Sequence, residues 1–263
     1  MTKILSFGTS IFKRFFGSGL KPQLNSVQPS QVASLTDLLI QVDANDVVLG
    51  SLPKLDGHLP AAINTGIFHR AFSVFLFEEG SHSLLVQKRA STKIVFPRQW
   101  ANTCCSHPLY VESEMENIEG DQIGIKRATV KRLHAELGLS GIDPTSLNFV
   151  DKIVYSQLSP GGSFGESEVD YILFSTLNTN KCPVLPVADE VEEFQWIRPG
   201  PTGNRVANLK EFLNNETRKG FPPTPWFSLM INEGNCLEEW WNSLINGRIE
   251  NRRENVPVRS FLA

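Results

Sequence analysis

Short apolar runs separated by polar turns occur through much of the chain and predict β-strands that pair as hairpins. In the first pair the runs flank Asp43-Ala44-Asn45-Asp46, a group of turn-forming residues. In the last pair the turn is the glycine-rich stretch 159–162. The predicted pairs are 38–42 with 47–49, 69–77 with 84–89, and 149–157 with 168–175. A further strand is predicted at 194–197.

A helical period is clearest at 123–137, where apolar residues recur on one side of a helix. That stripe holds Ile123, Val130, Leu133 and Leu137. Gly138 follows the segment, and glycine commonly ends a helix because it adopts the left-handed backbone without strain. The pattern therefore predicts a helix over 123–137.

The remaining segments complete an α/β arrangement. Residues 204–214 and 226–244 have weaker helical patterns and predict two more helices, whereas 53–65 follows neither period and predicts a loop. Strands and helices interleave along the chain without an internal repeat. We therefore predict a single α/β domain at 37–250 and a short tail at 251–263.

Composition and charge exclude several classes of partner. Apolar residues make up 41% and charged residues 20% of the 263 residues, as in globular proteins. No apolar run approaches the ~20 residues that span a bilayer, so we expect no membrane partner. A net charge of −3 does not indicate nucleic acid as a partner. We expect a monomer whose four cysteines stay reduced, since adjacent Cys104 and Cys105 cannot easily bridge each other.

Residues 1–36 differ from the rest of the chain because they contain basic but no acidic residues. The basic residues are Lys3, Lys13, Arg14 and Lys21, and removing them takes the net charge from −3 to −7. Apolar residues at 5–16 can form one helix face, which together with the charge is typical of a mitochondrial transit peptide. A disordered tail is the alternative. We expect mitochondrial localisation, with a cytoplasmic or peroxisomal one as the alternative.

Reactive side chains are concentrated at 96–109, a stretch bounded by prolines that predicts a shaped loop rather than a regular element. It contains Cys104, Cys105 and His107. Cys-x-His spacing suits a thiol that acts as nucleophile or acid beside a metal-ligating imidazole. The alternative is that the cysteines are small buried apolar residues and that the histidine is a hydrogen-bonded loop residue.

Three histidines and two glutamates form a candidate set of metal ligands. His58, His69 and His107 lie in loops or at a strand start. Glu166 and Glu168 are two residues apart at the start of a predicted strand, so their carboxylates point to the same side. Imidazoles combined with carboxylates suit a zinc, manganese or magnesium ion. The remaining histidines are predicted to face solvent: His82 and His134.

A second group of candidates is basic. Arg89 ends a predicted strand, Lys93 follows four residues later, and Lys54 lies in the predicted loop before the first candidate ligand. Basic side chains brought together at one pocket suit a diphosphate. A solvated surface position is the alternative for each of them taken singly.

Four stretches together resemble the type I isopentenyl diphosphate isomerases, in the order and spacing of that family over 37–246. The stretches are Phe96-Pro97 … Trp100 … Asn102-Thr103-Cys104-Cys105-Ser106-His107-Pro108-Leu109, His69-Arg70-Ala71-Phe72-Ser73-Val74-Phe75-Leu76-Phe77, Gly165-Glu166-Ser167-Glu168-Val169-Asp170-Tyr171-Ile172-Leu173, and Thr224-Pro225-Trp226-Phe227. The resemblance implies a Nudix-like α/β/α sandwich with a mixed sheet. It also implies that the chain interconverts isopentenyl and dimethylallyl diphosphate.

The same resemblance assigns roles to residues of this chain. It implies that Cys105 and Glu168 carry protons, that Tyr155 assists the carboxyl, and that Trp226 stabilises a carbocation. It implies a metal ion, Zn²⁺, Mn²⁺ or Mg²⁺, held by His58, His69, His107, Glu166 and Glu168. A second cation, Mg²⁺, would join the diphosphate to Glu136. The remaining phosphate oxygens would be bound by Lys54, Arg89 and Lys93, with Arg132 as a further candidate.

Two other functions stay open as alternatives. Residues 131–139 resemble a degraded Nudix helix, and a Nudix-type pyrophosphohydrolase would need acidic residues where the chain has Arg132 and Ala135. Only Glu136 remains of that acidic cluster, which disfavours hydrolysis. A non-enzymatic metal-binding module is the third hypothesis, and it leaves Trp226 without a role.

Arg98 departs from the pattern of the resembled family, which commonly has glycine after the Phe-Pro pair. If this position needs a positive φ, a residue with a Cβ is strained there. The loop would then be rearranged locally without the loss of a catalytic group. Arg98 is either a harmless surface change or one that alters the rate and the fit of the substrate.

Overall fold

The computed structural model describes residues 29–249, 251 and 257–262. Most of the predicted leader lies outside the described residues, and so do residues 252–256 and 263 of the predicted C-terminal tail. The helices are α1 (Pro29–Ser34), α2 (Lys54–Gly57), α3 (Pro60–Asn64), α4 (Glu112–Met115), α5 (Ile123–Leu137), α6 (Ala207–Arg218), α7 (Pro225–Asn232) and α8 (Cys236–Ile245). A 3₁₀ turn lies at Pro144–Ser146. The strands are β1 (Leu38–Val42), β2 (Val48–Pro53), β3 (Phe68–Glu78), β4 (Leu84–Arg89), β5 (Trp100–Ala101), β6 (Cys104–Ser106), β7 (Asn148–Leu158), β8 (Gly165–Leu177), β9 (Val191–Ile197) and β10 (Val258–Ser260).

A mixed ten-stranded sheet organises these elements. Its main path runs β10-β7-β8-β3-β1-β2, and the short strand β6 also pairs with β3. The two long central strands, β3 and β8, are parallel, whereas β7 and β8 form the antiparallel hairpin predicted from sequence. The pairings of β1 with β2 and of β3 with β4 confirm the other two predicted hairpins.

Helices cover both faces of this sheet. Side chains alternate along its strands, so apolar residues point to both faces and pack against helices on each side. On β3, Phe75 and Phe77 pack into a cluster that includes residues of α6, α7 and α8. Val74 and Leu76 point the other way and pack against α5. The α/β class and the sandwich of helices around a mixed sheet are therefore confirmed.

The predicted helix at 123–137 coincides with α5, and Gly138 follows it with a φ of 65°, as a left-handed helix end requires. The prediction of a single helix at 226–244 was wrong. The chain forms α7 and α8 instead, separated by a turn in which Gly234 and Asn235 have positive φ angles. The helix predicted at 204–214 is displaced to Ala207–Arg218.

The loop predicted at 53–65 was also wrong, because the segment forms the short helices α2 and α3. Each helix is only about one turn long, which is too short to produce a recognisable apolar period. Pro60 begins α3, where its missing N–H group removes no helical hydrogen bond. The two turns connect β2 to β3 and carry His58 between them.

Residues 29–36, which the sequence assigned to the leader, pack against the domain. Leu35 is 4% exposed and belongs to the core cluster beneath α6–α8. Its carbonyl oxygen accepts a hydrogen bond from the backbone N–H of Leu55 at 2.9 Å, and the side-chain amide of Gln31 donates to the carbonyl oxygen of Asp189 at 3.1 Å. At the other end of the chain, β10 pairs with β7 within the segment predicted as a tail. None of the described helices combines the length and the apolar character needed to cross a bilayer.

Candidate active site

Strand register brings the acidic and histidine residues together at one end of the sheet. Glu168 on β8 lies directly opposite His69 on the parallel neighbour β3, and opposite Tyr155 on the antiparallel neighbour β7. Glu166 lies two residues earlier on the same face of β8. His107 follows β6, which pairs with β3. The face that carries these side chains is also the face that packs against α6–α8 farther along the sheet.

Four of these side chains could hold a metal ion. His58, His69, His107 and Glu166 have ligand atoms that all lie within 4.8 Å of one another. The Nε2 atom of His58 lies 2.8 Å from a carboxylate oxygen of Glu166, and the Nε2 atom of His107 lies 2.7 Å from Glu168 Oε1. His58 Nδ1 is 2.6 Å from the carbonyl oxygen of Lys54, which leaves its Nε2 atom to face the group.

Several polar atoms of this group are buried without a hydrogen-bond partner among the described residues. They include both ring nitrogens of His69 and the Nδ1 atom of His107. An unpaired polar atom in the protein interior is costly unless a ligand satisfies it. The donor set of imidazole nitrogens and carboxylate oxygens suits a divalent cation, so the residues fit a metal ion.

Three pKa shifts agree with this interpretation, and one opposes it. Burial acts to lower the pKa of His107, but its hydrogen bonds with Glu166 and Glu168 outweigh burial and raise it. Burial lowers the pKa of His69 to about 4, which keeps its imidazole neutral, as a metal ligand must be. Burial opposes ionisation of Glu166, but the neighbouring His58 and His107 hold the pKa of that carboxyl well below its usual range. Burial and the charge on Glu166 oppose ionisation of Glu168, yet its hydrogen bond with His107 helps to hold its pKa below the ordinary value.

Glu168 connects the metal-ligand group to the apolar part of the site. The hydroxyl of Tyr155 donates a hydrogen bond to the Glu168 carboxylate. Burial raises the pKa of Tyr155 well above its usual value, and the Glu168 charge raises it further. Tyr155 is therefore a neutral hydrogen-bond donor to an ionised carboxylate.

The segment predicted as an irregular loop at 96–109 contains the short strands β5 and β6. They are two and three residues long, too short for alternation to be visible in the sequence. The antiparallel pairing of β6 with β3 places Cys105 opposite Ser73. Cys104 points to the other face of the sheet and packs in the cluster beside α5.

Cys105 is surrounded by polar groups of three residues. Its Sγ atom lies 2.8 Å from Asn102 Oδ1, 3.1 Å from Trp226 Nε1 and 3.5 Å from Ser73 Oγ. Burial raises the pKa of the thiol, and the nearby carboxyl group of Asp170 raises it further. Cys105 is therefore a neutral thiol in this environment.

A cavity of about 340 Å³ joins these groups to the basic residues. Its wall includes Cys105, Tyr155, Glu168 and Trp226, which makes one continuous space of the thiol, the carboxyl and the indole. The predicted basic residues also line it: Lys54, Arg89, Lys93 and Arg132. Burial lowers the pKa of Lys54 to about 8, and the positive charges of Lys93 and Arg132 add to this effect.

Internal contacts hold the other basic residues in place. The Arg89 guanidinium donates hydrogen bonds to the backbone carbonyl oxygens of Val95 and Phe96, and it lies 5.6 Å from the centre of the Trp226 ring. Lys93 forms an ion pair with Glu190. These cations are therefore positioned at the cavity wall by the fold.

Glu136 and His69 are the two described candidate residues that lie behind the cavity wall rather than on it. The carboxylate of Glu136 is 3% exposed and accepts hydrogen bonds from Arg132 at 2.7 Å and Gln87 at 3.0 Å. Burial opposes its ionisation, but the Arg132 charge outweighs this and lowers the pKa of Glu136 to about 2. In this structure the carboxylate supports Arg132.

Sequence reasoning missed three polar residues of the site, although all of them lie in the stretches quoted above. Asn102 is fully buried beside Cys105. Asp170 is also buried and accepts a hydrogen bond from Ser73 at 2.7 Å. Asp170 could have been found, because Glu166, Glu168 and Asp170 alternate on one face of the same strand.

Two other histidines were predicted to face solvent. His134 is exposed, as predicted, whereas His82 is half-buried.

One cavity brings together a buried metal-ligand group, a neutral thiol and several basic side chains. This combination defines the protein as an enzyme with an α/β fold. Curated relatives identify which enzymes it resembles. The chain is 37% identical over 227 residues to "Isopentenyl-diphosphate Delta-isomerase 1" of Mesocricetus auratus, covering 85% of this chain and 93% of the relative. It is 37% identical over 243 residues to the "Isopentenyl-diphosphate delta-isomerase" of Phaffia rhodozyma, covering 90% and 88%.

The chain therefore belongs to the isopentenyl-diphosphate delta-isomerase family, and the resemblance predicted from its motifs is confirmed. No protein-family model matches the chain. Among solved structures it is similar to DR0079 from Deinococcus radiodurans, with a TM-score of 0.42 and 16% identity over 73% of this chain and 96% of that one. A NUDIX hydrolase from Alicyclobacillus acidocaldarius gives a TM-score of 0.42 and 10% identity, covering 61% of this chain and 87% of that one. Likeness at this level carries no conclusion about chemistry.

The metal-ligand group predicts that the protein binds about one equivalent of a divalent cation. His69→Gln should lower the metal content at least about tenfold, because it removes a buried imidazole from the group. Elemental analysis after gel filtration measures this directly. His134→Gln, on the exposed side of α5, is the matched control and should retain the metal. Equal metal content in the two variants would contradict the assignment.

Arg98 has a φ of 59°, so the departure noted in the sequence falls at a left-handed position. Its side chain is 53% exposed and lies 3.6 Å from Glu192. Arg98→Gly and Arg98→Ala both remove that side chain, and they differ only in the Cβ atom. At a positive φ the glycine variant should be more stable by about 1 kcal/mol, a reversal of the usual order. Denaturant unfolding of the two variants tests this, and an alanine variant of equal or greater stability would show that the position is unstrained.

Proposed function

We propose that the chain interconverts isopentenyl and dimethylallyl diphosphate by moving one double bond. The observation that carries the proposal is that a neutral thiol, Cys105, and an ionised carboxyl, Glu168, line one cavity together with the ring of Trp226 and a set of fixed cations. The names of the relatives supply the reaction, and the contents of this cavity suit it.

The chemistry requires proton transfer at carbon. One proton is added at C4 of isopentenyl diphosphate and one is removed from C2, through a tertiary carbocation that water would capture. The site must therefore hold two proton-transfer groups, exclude water and present no strong nucleophile to the cation. The two proton-transfer groups would be the neutral thiol and the carboxylate that accepts a hydrogen bond from Tyr155. One gives a proton while the other takes one, and the two exchange these roles in the reverse reaction.

Trp226 is the candidate for stabilising the positive charge. Its ring is 2% exposed, and Phe96 and Tyr155 pack around it with ring centres 5.5 and 6.1 Å away. The face of an indole attracts a cation by up to ~2 kcal/mol when water is excluded. The Arg89 guanidinium already lies near the Trp226 ring. This contact supports the capacity of the ring to stabilise a positive charge next to it.

The proposal places the diphosphate beside the cations of the cavity wall: Lys54, Arg89, Lys93 and Arg132. His58, His69, His107, Glu166 and Glu168 would hold a divalent ion, Zn²⁺, Mn²⁺ or Mg²⁺, and Glu136 would be a ligand of a second ion, Mg²⁺, that neutralises diphosphate charge. When bound, such cations orient carboxylates, favour their ionised form and neutralise phosphate charge. Because Arg132 and Gln87 occupy the Glu136 carboxylate, Mg²⁺ would compete with one of them there.

Pyrophosphate hydrolysis is a poorer interpretation of the same site. A Nudix hydrolase gathers several carboxylates on one helix to hold cations over a pyrophosphate. On α5 the corresponding positions carry Arg132, which pairs with Glu136, and exposed Ala135. A metal-binding module without catalysis would not need the thiol, the indole and the fixed cations around one cavity.

Product analysis tests the proposal. Purified protein incubated with isopentenyl diphosphate and Mg²⁺ should form dimethylallyl diphosphate until the two isomers reach equilibrium. Release of inorganic phosphate would favour the hydrolase instead. If neither product appears from metal-loaded protein, the metal-binding module is favoured.

Cys105→Ala should lower kcat by several orders of magnitude while KM changes little, because the variant loses a proton carrier and keeps the diphosphate contacts. Cys104→Ser is the matched control, since the neighbouring thiol points to the opposite face of the sheet. We expect this control to remain active, with a lower melting temperature because it buries a hydroxyl in an apolar cluster. Similar kcat values for Cys105→Ala and wild type would contradict the role of Cys105.

Substrate affinity should weaken above pH 8 because of Lys54. The pKa of this ammonium is about 8, so it is charged below that pH and loses its charge as the pH rises further. KM for isopentenyl diphosphate should therefore rise toward pH 9.5 more steeply in wild type than in Lys54→Arg, whose guanidinium stays charged. Steady-state kinetics of both proteins between pH 7 and 9.5 measure the difference. Parallel KM profiles would exclude titration of Lys54 as the cause.

We extend the proposal to mitochondrial localisation, on the basis of the acid-free basic segment at 1–36. A fluorescent reporter fused to these residues should enter mitochondria. A diffuse cytosolic signal would reject this localisation, and a punctate peroxisomal signal would favour the alternative. Removal of residues through 36 should destabilise the fold, because Leu35 is part of the core.

A further inference from the structure

Asn102 is a fully buried amide whose orientation is fixed by the backbone around it. Its Nδ2 group donates hydrogen bonds to the carbonyl oxygens of Val74 at 3.1 Å and Cys104 at 3.2 Å. Both of its N–H hydrogens are therefore used on acceptors of two neighbouring strands. Exchange of the amide oxygen and nitrogen would direct an oxygen at these two carbonyl groups, which is unfavourable. Oδ1 consequently has to face the cavity side.

On that side, Oδ1 meets the two groups on which the proposed chemistry depends. The thiol of Cys105 donates to Oδ1 across 2.8 Å, and the indole N–H of Trp226 donates to it across 3.1 Å. The indole nitrogen is also 3.1 Å from the sulfur, so the three groups form a closed triangle. A single side chain thus fixes both the thiol and the ring.

Ser73, the other polar side chain next to the Cys105 sulfur, does not link the thiol to the indole. Ser73 Oγ is 3.5 Å from Cys105 Sγ, and its hydroxyl hydrogen is directed to Asp170 at 2.7 Å. In the described part of the chain, the Ser73 hydroxyl forms no hydrogen bond with the indole. Asn102 is therefore the residue that connects the two functional groups to each other and to the backbone of β3 and β6.

We propose that Asn102 is a positioning residue, which sets the direction of the Cys105 thiol and the plane of the Trp226 ring for the isomerisation. The inference rests on the proposed function, since the thiol and the ring matter because of the proton transfer and the carbocation. Asn102 itself does not transfer a proton. Its loss should change the chemical step and leave diphosphate binding almost unchanged, because its hydrogen bonds within the described residues go to Val74, Cys104, Cys105 and Trp226 and not to the cations that would bind the diphosphate.

The adjacent residue Thr103 provides a matched control. It is equally buried, and its hydroxyl donates to the carbonyl oxygen of Leu85 at 2.6 Å and accepts the N–H of Leu76 at 2.8 Å. Thr103→Val and Asn102→Leu both replace a buried polar side chain by an apolar one of similar size. Both should lower the melting temperature, since each leaves buried backbone groups unsatisfied. Only the Asn102 variant removes the contacts to the thiol and the indole.

We expect Asn102→Leu to lower kcat at least about tenfold with KM within about twofold of wild type, and Thr103→Val to keep wild-type kcat. The rate at which iodoacetamide modifies Cys105, followed by peptide mass spectrometry, should change severalfold in Asn102→Leu and not in Thr103→Val. Asn102→Asp keeps an acceptor oxygen at the same place and should recover part of kcat. It is also the variant to use if Asn102→Leu does not fold.

Equal kcat losses in Asn102→Leu and Thr103→Val, or unchanged modification of Cys105 in Asn102→Leu, would overturn the inference and leave Asn102 a structural residue. If Asn102→Leu does not fold, an Asn102→Asp variant with the kcat of wild type and an unchanged rate of Cys105 modification would overturn it as well. The modification experiment does not depend on isomerase activity. Failure of wild type to form dimethylallyl diphosphate would therefore contradict the proposed function, while the comparison of the two variants would still decide the role of Asn102.

Discussion

Two carboxylates and three imidazoles are buried together at one end of the sheet, and the rest of the structure depends on how their charges and hydrogen-bonding atoms are paired. Left alone, such a group is unfavourable, because buried charges and unpaired polar atoms lose their hydration. Partial pairing among Glu166, Glu168 and the histidines relieves this, but the described residues offer no hydrogen-bond partner to either ring nitrogen of His69. A divalent cation would complete the pairing. The central strands β3 and β8 are the rigid support that makes such a concentration possible.

The same sheet separates the reactive part of the site from the structural part. Successive residues on a strand face opposite sides, so Cys105 reaches the cavity while Cys104 packs beside α5. The apolar cluster under α6–α8 includes Tyr155 and Trp226, so it continues directly into the cavity wall. The fold thereby combines a polar metal-ligand group with an apolar part of the wall, and proton transfer to carbon through a carbocation needs both.

Much of this arrangement could be predicted from sequence, for reasons that individual residues make clear. Glu166 and Glu168 share a face because strands have a period of two, and α5 was predicted because its stripe is long and ends at Gly138. The one-turn helices α2 and α3 and the short strands β5 and β6 are below the length at which a period can be detected. The packing of Leu35 and the role of Asn102 depend on contacts between distant segments, and no local pattern encodes these. The motifs could identify the family, whereas only the coordinates show that Glu136 supports Arg132 behind the cavity wall.

The central claim is that a water-excluding site adds one proton to the substrate and removes another. Incorporation of deuterium from solvent tests this claim most directly. The protein is incubated with isopentenyl diphosphate in D₂O, and the products are followed by nuclear magnetic resonance. The account predicts deuterium in the methyl group formed from C4, exchange at C2 as the reverse reaction proceeds, and an intact diphosphate. A tertiary alcohol would show that water reaches the carbocation. Dimethylallyl diphosphate formed without deuterium in the new methyl group would contradict proton transfer through side chains that exchange with solvent.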